Sequence, residues 1–185
     1  MKYSVRYFSL LLIITFSFGG FAQAQKAVKD KDLPNFGRIN ANLFRGGQPT
    51  GAGLEKLKDV YNVKSIVYLR GADEKAEIEK NRAKAVGIEL QSFSLNNWLR
   101  PKDAQIKDIL AFIDNPANQP VFVHCKRGAD RTGTIVAVYR IAREGKTAKE
   151  AFDEAKDFHF GWWQIWMKDY INDYYRDFRK VNSEQ

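Results

Sequence analysis

Short apolar runs alternate with longer amphipathic segments along most of this chain. The apolar runs predict buried β-strands, at Asn42–Arg45, Val63–Leu69, Ile88–Phe93 and Val121–His124. Amphipathic segments predict helices from Thr50 to about Tyr61 and at Asp73–Val86, Asp103–Asp114, Thr132–Arg143, Thr147–Phe158 and Trp163–Arg179. Residues 25–38 form a polar lead-in with no predicted element. Strands that alternate with helices predict an α/β fold, with a central, mostly parallel sheet flanked by helices.

The N-terminus has the pattern of a secretory signal peptide. Lys2 and Arg6 precede an apolar stretch from Phe8 to Phe18, and Ala22-Gln23-Ala24 forms a small-residue cleavage site. We expect residues 1–24 to be removed and residues 25–185 to form one domain in the periplasm or outside the cell. The alternative is an uncleaved anchor, but the apolar run is short for a membrane span.

Composition limits the possible partners and ligands. The chain has 30 Lys and Arg against 22 Asp and Glu, a net charge of +8, which does not demand a nucleic-acid partner. We predict a monomer that binds no nucleic acid. With 2 His and 1 Cys in the whole chain, the sequence predicts no metal site. A lone cysteine in an exported protein has no disulfide partner in its own chain and is a candidate reactive thiol.

That cysteine, Cys125, lies in a segment with strong chemical features. Residues 124–133 read HCKRGADRTG and connect the apolar run Val121–His124 to a predicted helix. A loop that curls here would point its amides inward, and the positive end of the following helix favours a bound phosphate. Gly128 allows the bend, and the planar guanidinium of Arg131 can bind two phosphate oxygens. The predicted phosphate-binding residues are Lys126, Arg127, Gly128, Ala129, Asp130 and Arg131.

The same positive field should ionise Cys125. Amides and guanidinium groups around a thiol lower its pKa, and the thiolate is the nucleophilic form. Thr132 can donate its hydroxyl to the sulfur. We expect His124 to bond to backbone near the cysteine and to shape the loop, without acting as a base. An inert, packed cysteine is the simpler alternative.

The segment His124-Cys125, five residues, Arg131-Thr132-Gly133 resembles the signature of cysteine-dependent protein tyrosine and dual-specificity phosphatases. Leu43–Pro49 and Ser65–Arg70 resemble strands of the small bacterial, plant and fungal atypical members. The resemblance implies a phosphotyrosine protein phosphatase-like fold, a phosphocysteine formed on Cys125, transition-state stabilisation by Arg131, and no metal or cofactor. It also implies a phosphorylated protein or an inositol phosphate as substrate. A phosphate-binding pseudophosphatase without turnover is the alternative.

Two carboxylates are candidates for the general acid, and the sequence does not decide between them. These phosphatases usually carry an aspartate about thirty residues before the cysteine, where this chain has Asn96 and Asn97. Asp103 lies on the same loop, but it is expected to begin the next helix, where an acidic residue is favoured for capping and charge. Asp130 lies inside the predicted phosphate-binding loop (the phosphate loop, residues 126–131). It could reach the leaving group or only brace the loop.

Two further features are assigned no catalytic role. Residues 158–166 are rich in aromatic side chains, which indicates packing against the core; a membrane-surface patch is possible but not expected. Arg45 and Arg70 follow predicted strands and could approach the site. Because such residues more often pair with acids, for instance Arg70 with Glu74, both are left outside the predicted site.

Overall fold

The computed structural model describes residues 29–183, so the predicted signal peptide lies outside the described residues. The strands are β1 Gly37–Arg38, β2 Leu43–Gly46, β3 Ser65–Tyr68, β4 Glu89–Ser92 and β5 Val121–His124. The helices are α1 Gly51–Asp59, α2 Glu74–Ala85, α3 Asp103–Asp114, α4 Asp130–Glu144, α5 Ala148–Asp157 and α6 Ile165–Ser183.

The five strands form one sheet in the order β1-β2-β5-β3-β4. β1 pairs antiparallel with β2, whereas β2, β5, β3 and β4 run parallel. Strand β5 is central, with Gly46 and Tyr68 both in register with His124. The predicted α/β class with a mostly parallel sheet is confirmed, and Cys125 therefore follows the middle of the sheet at its carboxyl edge, where such sheets bind ligands.

Side chains that alternate along the strands build a core on each face of the sheet. On one face Val121 and Val123 pack with apolar residues of α3, α4 and α6. On the other face Phe122 packs with apolar residues of α1 and α2. All four residues of β5 are buried, so the strand that precedes the cysteine is held on both faces.

Most predicted elements match the structure within two residues, and the bounds of α3 and β5 match in full. The prediction that residues 25–38 form a polar lead-in without an element was wrong, because Gly37–Arg38 is a strand and Leu33 and Phe36 are buried in the core. Most residues of this segment are polar, so no signal in the sequence indicated that Leu33 and Phe36 would be buried. Helix α4 begins at Asp130 rather than Thr132, which places the carboxylate of Asp130 in its first turn.

The aromatic C-terminal segment divides between core and surface. Phe158, Phe160 and Tyr170 are buried, whereas Trp162 and Trp166 are 86% and 59% exposed. Among the helices in residues 29–183, none is both long enough and apolar enough to cross a membrane. The expectation that this segment packs on the core thus holds for part of it, and the exposed tryptophans are not expected to dock at a membrane.

Candidate active site

The loop between β5 and α4 is held by donors that bind its carbonyl groups from outside. All three bonds come from the segment around β2, far from the loop in sequence. The donors are the Gln48 amide to the Lys126 oxygen (3.2 Å), Asn35 Nδ2 to the Arg127 oxygen (3.3 Å) and Arg45 Nη2 to the Gly128 oxygen (2.8 Å). Because the N–H and C=O of one peptide plane point in opposite directions, the following amides of Arg127, Gly128 and Ala129 face the interior of the loop.

Gly128 is the residue that allows this curl. Its φ is +72°, and a Cβ atom there would lie 2.3 Å from the carbonyl carbon of Gly46 and 2.4 Å from the amide nitrogen of Gly47. Both the left-handed backbone and the close approach of β2 require glycine. The end of β2 therefore packs against the back of the loop and fixes its shape.

Cys125 is 4% exposed at the base of this loop. Burial opposes ionisation of the thiol, but the hydroxyl and amide of Thr132, the charge of Arg131 and the amide of Gly128 outweigh it. The pKa of Cys125 is therefore lowered from its ordinary value. The Thr132 hydroxyl is buried and has no other hydrogen-bond partner, which leaves it available to the sulfur.

Arg131 lies in the first turn of α4 and its guanidinium is anchored on one side. Nη1 donates to the carbonyl oxygens of Leu69, at 3.3 Å, and Leu95, at 3.4 Å, where the chain leaves β3 and β4. Nε is buried without a hydrogen-bond partner. The edge of the guanidinium that carries Nε thus has no protein partner among the described residues, and bidentate binding of an oxyanion there stays a prediction.

Asp130 is 3% exposed, and both of its carboxylate oxygens are engaged. Oδ2 accepts from Arg127 Nη2 at 2.6 Å, and Oδ1 accepts from the amide of Gly161 at 2.8 Å. These bonds join the phosphate loop to the α5–α6 connection. Of the two roles left open for Asp130, the geometry favours bracing of the loop over proton donation, since a general acid needs a protonated oxygen directed at the leaving group.

Asp103 begins α3, as expected, and its Oδ1 accepts a hydrogen bond from the Tyr170 hydroxyl of α6 at 2.8 Å. Burial, followed by this carboxylate, raises the pKa of Tyr170. Asn96 and Asn97 lie on the preceding loop, where Asn96 Oδ1 accepts from the Trp98 amide at 2.7 Å. The loop is therefore closed by an asparagine turn rather than by a carboxylate aimed at the cysteine.

A cavity of about 370 Å³ opens beside Arg131. Three of its lining residues carry positive charge without an ion pair among the described residues: Arg70, Lys102 and Arg131. Asparagines and apolar side chains of the loop at residues 94–101 complete the walls, whereas Asp103 does not line the cavity. The cavity suits an anion with more than one charged group, because a basic, walled cleft concentrates such ligands.

Behind the loop lies a polar chain that the sequence did not predict. The His124 ring has Nδ1 3.2 Å from the Cys125 carbonyl oxygen, as expected of a backbone contact, and Nε2 2.8 Å from Oε1 of the buried Glu79 on α2. Gln48 Nε2 donates to Glu79 Oε2 at 2.7 Å, and Arg70 donates to Gln48 Oε1. Arg70 thus bonds to Gln48 rather than to Glu74.

Sequence reasoning missed Glu79 because α2 is charged along most of its length and nothing marks one acid as buried. It left out Arg45, which is fully buried, although this residue lies within a segment already noted as family-like. Three or more His, Cys, Asp or Glu side chains grouped as metal ligands are not found between residues 29 and 183.

A cysteine at the base of an amide-lined loop, with an arginine in the first turn of the next helix, defines the cysteine-dependent phosphatase class. A family model described as DSP-PTPase phosphatase fused to NAD+ kinase matches residues 18–168. The chain belongs to this family of dual-specificity-type, cysteine-dependent phosphatases.

Relatives in sequence include inositol diphosphatase DSP2 of Oryza sativa, 32% identical over 67% of this chain and 61% of that protein. The dual specificity protein phosphatase TpbA of Pseudomonas aeruginosa is 27% identical over 69% of this chain and 56% of that protein. The chain spans about half to three fifths of the length of the first curated relatives it matches.

Solved structures agree on the fold. The core catalytic domain of the PP-IP phosphatase SIW14 from Saccharomyces cerevisiae superposes with a TM-score of 0.70 at 25% identity, covering 82% of this chain and 93% of that one. A cysteine-to-serine variant of TpbA in complex with phosphotyrosine gives a TM-score of 0.71 at 21% identity, covering 89% and 99%. The predicted phosphotyrosine phosphatase-like fold is confirmed.

Proposed function

We propose that this chain is a phosphatase that hydrolyses phosphate esters or anhydrides through a phosphocysteine on Cys125. One observation carries the proposal: the thiol lies at the base of a loop whose amides face inward, and its pKa is lowered. A phosphate held by the amides and Arg131 would have its phosphorus in front of the sulfur. This placement supplies the orientation and charge stabilisation that phosphoryl transfer needs.

The reaction takes two displacements. In the first, the Cys125 thiolate attacks phosphorus, an S–P bond forms, and the bond to the leaving oxygen breaks with its electron pair on that oxygen. In the second, water attacks phosphorus, the S–P bond breaks, and the thiolate and inorganic phosphate are released. Arg131 and the amides bind the equatorial oxygens in both steps, and the Thr132 hydroxyl stabilises the thiolate as it leaves.

The substrate class that fits best is a compact, highly phosphorylated inositol. The relatives named inositol diphosphatase and PP-IP phosphatase support this assignment. Arg70 and Lys102 on the cavity wall could bind further phosphates. When a diphosphate group is cleaved, the leaving group is itself a phosphate, and its oxygen needs little protonation. This suits a site that has asparagines rather than an aspartate at residues 96–97. Phosphotyrosine and phosphoserine or threonine proteins are the second candidate, supported by the similarity to TpbA.

The location follows from the N-terminal pattern alone. We propose that the chain is exported, which would place the phosphatase in the periplasm or outside the cell. Expression of the full chain, followed by fractionation and mass determination of the N-terminus, tests this proposal: cleavage after Ala24 is expected, and an intact Met1 in the cytoplasmic fraction would overturn it.

The test of activity uses three substrates and two proteins. Wild type should release p-nitrophenol from p-nitrophenyl phosphate, whose leaving group hardly needs an acid, and Cys125→Ser should not. An inositol polyphosphate with a diphosphate group should then be hydrolysed faster than a phosphotyrosine peptide at equal concentration. Equal rates for wild type and Cys125→Ser would favour the pseudophosphatase, for which the missing acid at residues 96–97 is the support.

A further inference from the structure

Arg45 is a buried cation that the reaction described above does not use. Its side chain is 0% exposed, and its guanidinium carbon lies 3.9 Å from the centre of the Phe158 ring. Nη2 donates to the Gly128 oxygen at 2.8 Å, whereas Nε and Nη1 are buried without hydrogen-bond partners. A buried charge normally demands a close counter-charge, so this arrangement needs an explanation.

No carboxylate within residues 29–183 forms an ion pair with Arg45. The carboxylate that acts on it most strongly, Glu154 on α5, is already bound by Arg140 at 2.8 Å. Arg45 lies in register with Val123, two residues before Cys125, and bonds to Gly128 of the loop that follows Cys125, and its charge favours the ionised thiol. Burial lowers the pKa of Arg45 to about 10, which still leaves the guanidinium charged at neutral pH. The thiolate is therefore a natural counter-charge.

The geometry points to Arg45 as a positioning residue: its guanidinium fixes the phosphate loop through Gly128 and supplies the buried positive charge that balances the ionised Cys125. Arg45 does not touch the substrate in this arrangement. It acts through the orientation of the Gly128 peptide and through the field at the sulfur. The inference rests on the proposed function, because it concerns the same nucleophile.

The arrangement explains why strand β2 carries an arginine, next to its last residue, at a fully buried position. Hydrogen bonding to Gly128 turns that carbonyl outward, so the next amide faces the bound anion. Stacking on Phe158 replaces part of the lost solvation. Both contacts keep the cation at a fixed place in a region of low dielectric, where its interaction with the sulfur is screened little by salt.

Other titratable groups lie beside Cys125 in the chain or in its loop and must stay constant in a test. They are His124 of β5, with Glu79 of α2 against its ring, and Asp130 and Arg131 in the first turn of α4, of which Arg131 acts on the thiol directly. Substitution of Arg45 alone leaves all of them in place. Arg140, which opposes the charge of Arg45, stays paired with Glu154.

The experiment measures thiol ionisation without any substrate. The rate of alkylation of Cys125 by iodoacetamide is followed from pH 4 to pH 9 in wild type, Arg45→Gln and Arg45→Lys, with Arg179→Gln on the exposed end of α6 as control. Glutamine keeps a donor for Gly128 but loses the charge, whereas lysine keeps both. We expect the midpoint of Arg45→Gln to move to higher pH, with alkylation about tenfold slower below the wild-type midpoint. Arg45→Lys should retain most of the wild-type profile.

A purely structural role gives a different result. Arg45→Gln and Arg45→Lys would then both lower the melting temperature and would leave the alkylation midpoint unchanged, which would overturn the proposal. If Arg45→Gln fails to fold, the test is made on wild type instead, by recording the NMR resonances of the Arg45 guanidinium as the pH changes. They should shift as Cys125 ionises and should not shift in Cys125→Ser; the same shift in both proteins would contradict the inference. Because alkylation needs no turnover, failure here is distinguishable from failure of the phosphatase assignment.

Discussion

The imidazole of His124 lies between the carbonyl oxygen of Cys125 and the carboxylate of Glu79, at 3.2 Å from Nδ1 and 2.8 Å from Nε2. The ring therefore lies between two oxygen atoms, one from the backbone and one from a buried side chain, which fix its orientation. The nucleophile is therefore supported from behind by a buried polar pair that spans β5 and α2.

Replacement of Glu79 tests this pair. Glu79→Gln leaves the shape of the side chain but removes the charge next to His124, so we expect the free energy of unfolding to fall by roughly 1–3 kcal/mol. Activity should fall with it because the Cys125 carbonyl loses its fixed partner. Chemical denaturation and steady-state rates measure both effects. Glu77→Gln on the same helix, where the carboxylate is 66% exposed, is the matched control and should change neither.

Gly128 should tolerate no side chain. Gly128→Ala would place Cβ 2.3 Å from the backbone of Gly46, so we expect loss of activity and a large fall in melting temperature. Gly145→Ala separates backbone strain from crowding, because Gly145 has a similar φ of +66° and no atom within 4 Å of its Cβ position. That variant should lose only about 1–2 kcal/mol of stability and keep its activity. Comparable stability losses in the two variants would refute the close packing of β2 against the loop.

Kinetics on a good and a poor leaving group distinguish bracing of the loop by Asp130 from proton donation. Asp130→Asn should slow hydrolysis of p-nitrophenyl phosphate and phenyl phosphate by a similar factor, since it removes the charge paired with Arg127 and leaves one acceptor oxygen where the loop needs two. Loss of a true general acid would instead slow the phenyl ester selectively, by about 10²–10⁴. Such selectivity in Asp130→Asn would show that the carboxylate leaves its partners during turnover.

Asp103→Asn should change neither substrate strongly, because its carboxylate bonds to Tyr170 and does not line the cavity. Asp108→Asn, on the exposed side of the same helix, controls for loss of a negative charge on α3. A selective loss on phenyl phosphate in Asp103→Asn alone would assign the acid to this residue.

The pH dependence of Cys125 follows from its lowered pKa. Because the folded protein holds the thiolate below the ordinary range of a thiol, alkylation should stay fast as the pH falls from 9 and decline only on passing through the lowered pKa. Thr132→Val removes the hydroxyl available to the sulfur, so its profile should move to higher pH. Identical profiles for the two proteins would exclude the hydroxyl as a source of the shift.

Oxidation should inactivate the enzyme reversibly at first. A thiolate reacts with peroxide to form sulfenic acid, and the chain has 1 Cys, so no internal disulfide can protect it. We expect activity to fall under dilute hydrogen peroxide, to return with dithiothreitol after short exposure, and to be lost for good after long exposure. Full activity after peroxide without a reductant would contradict a reactive thiolate.

Much of the site could be predicted because its parts are adjacent in sequence. The strand β5, the glycine of the loop, Cys125 and Arg131 all lie within one short segment, and apolar periodicity identified the elements on both sides. Arg45 and Glu79 were not predicted because their contacts are distant in sequence: Arg45 bonds to a residue 83 positions away, and Glu79 of α2 meets His124 of β5. A pattern of residue types does not show which charged side chain the fold buries.

Strand β1 was not predicted from the sequence for a different reason. It has two residues, too few for a periodic signal, and it exists because the sheet offers an edge at β2. The conformation of the loop at residues 94–101 also could not be predicted from the sequence, since its asparagine turn depends on local side-chain bonds rather than on apolar spacing.

The outward bonds of the loop carbonyls have a practical consequence for any minimal catalytic fragment. Asn35, Arg45 and Gln48 all precede α1, so a truncated protein that starts at Gly51 would retain Cys125 and Arg131 yet lose all three donors. Such a fragment would carry the recognisable motif without the means to shape it. The boundary of the smallest working unit therefore lies before Asn35, some ninety residues upstream of the nucleophile.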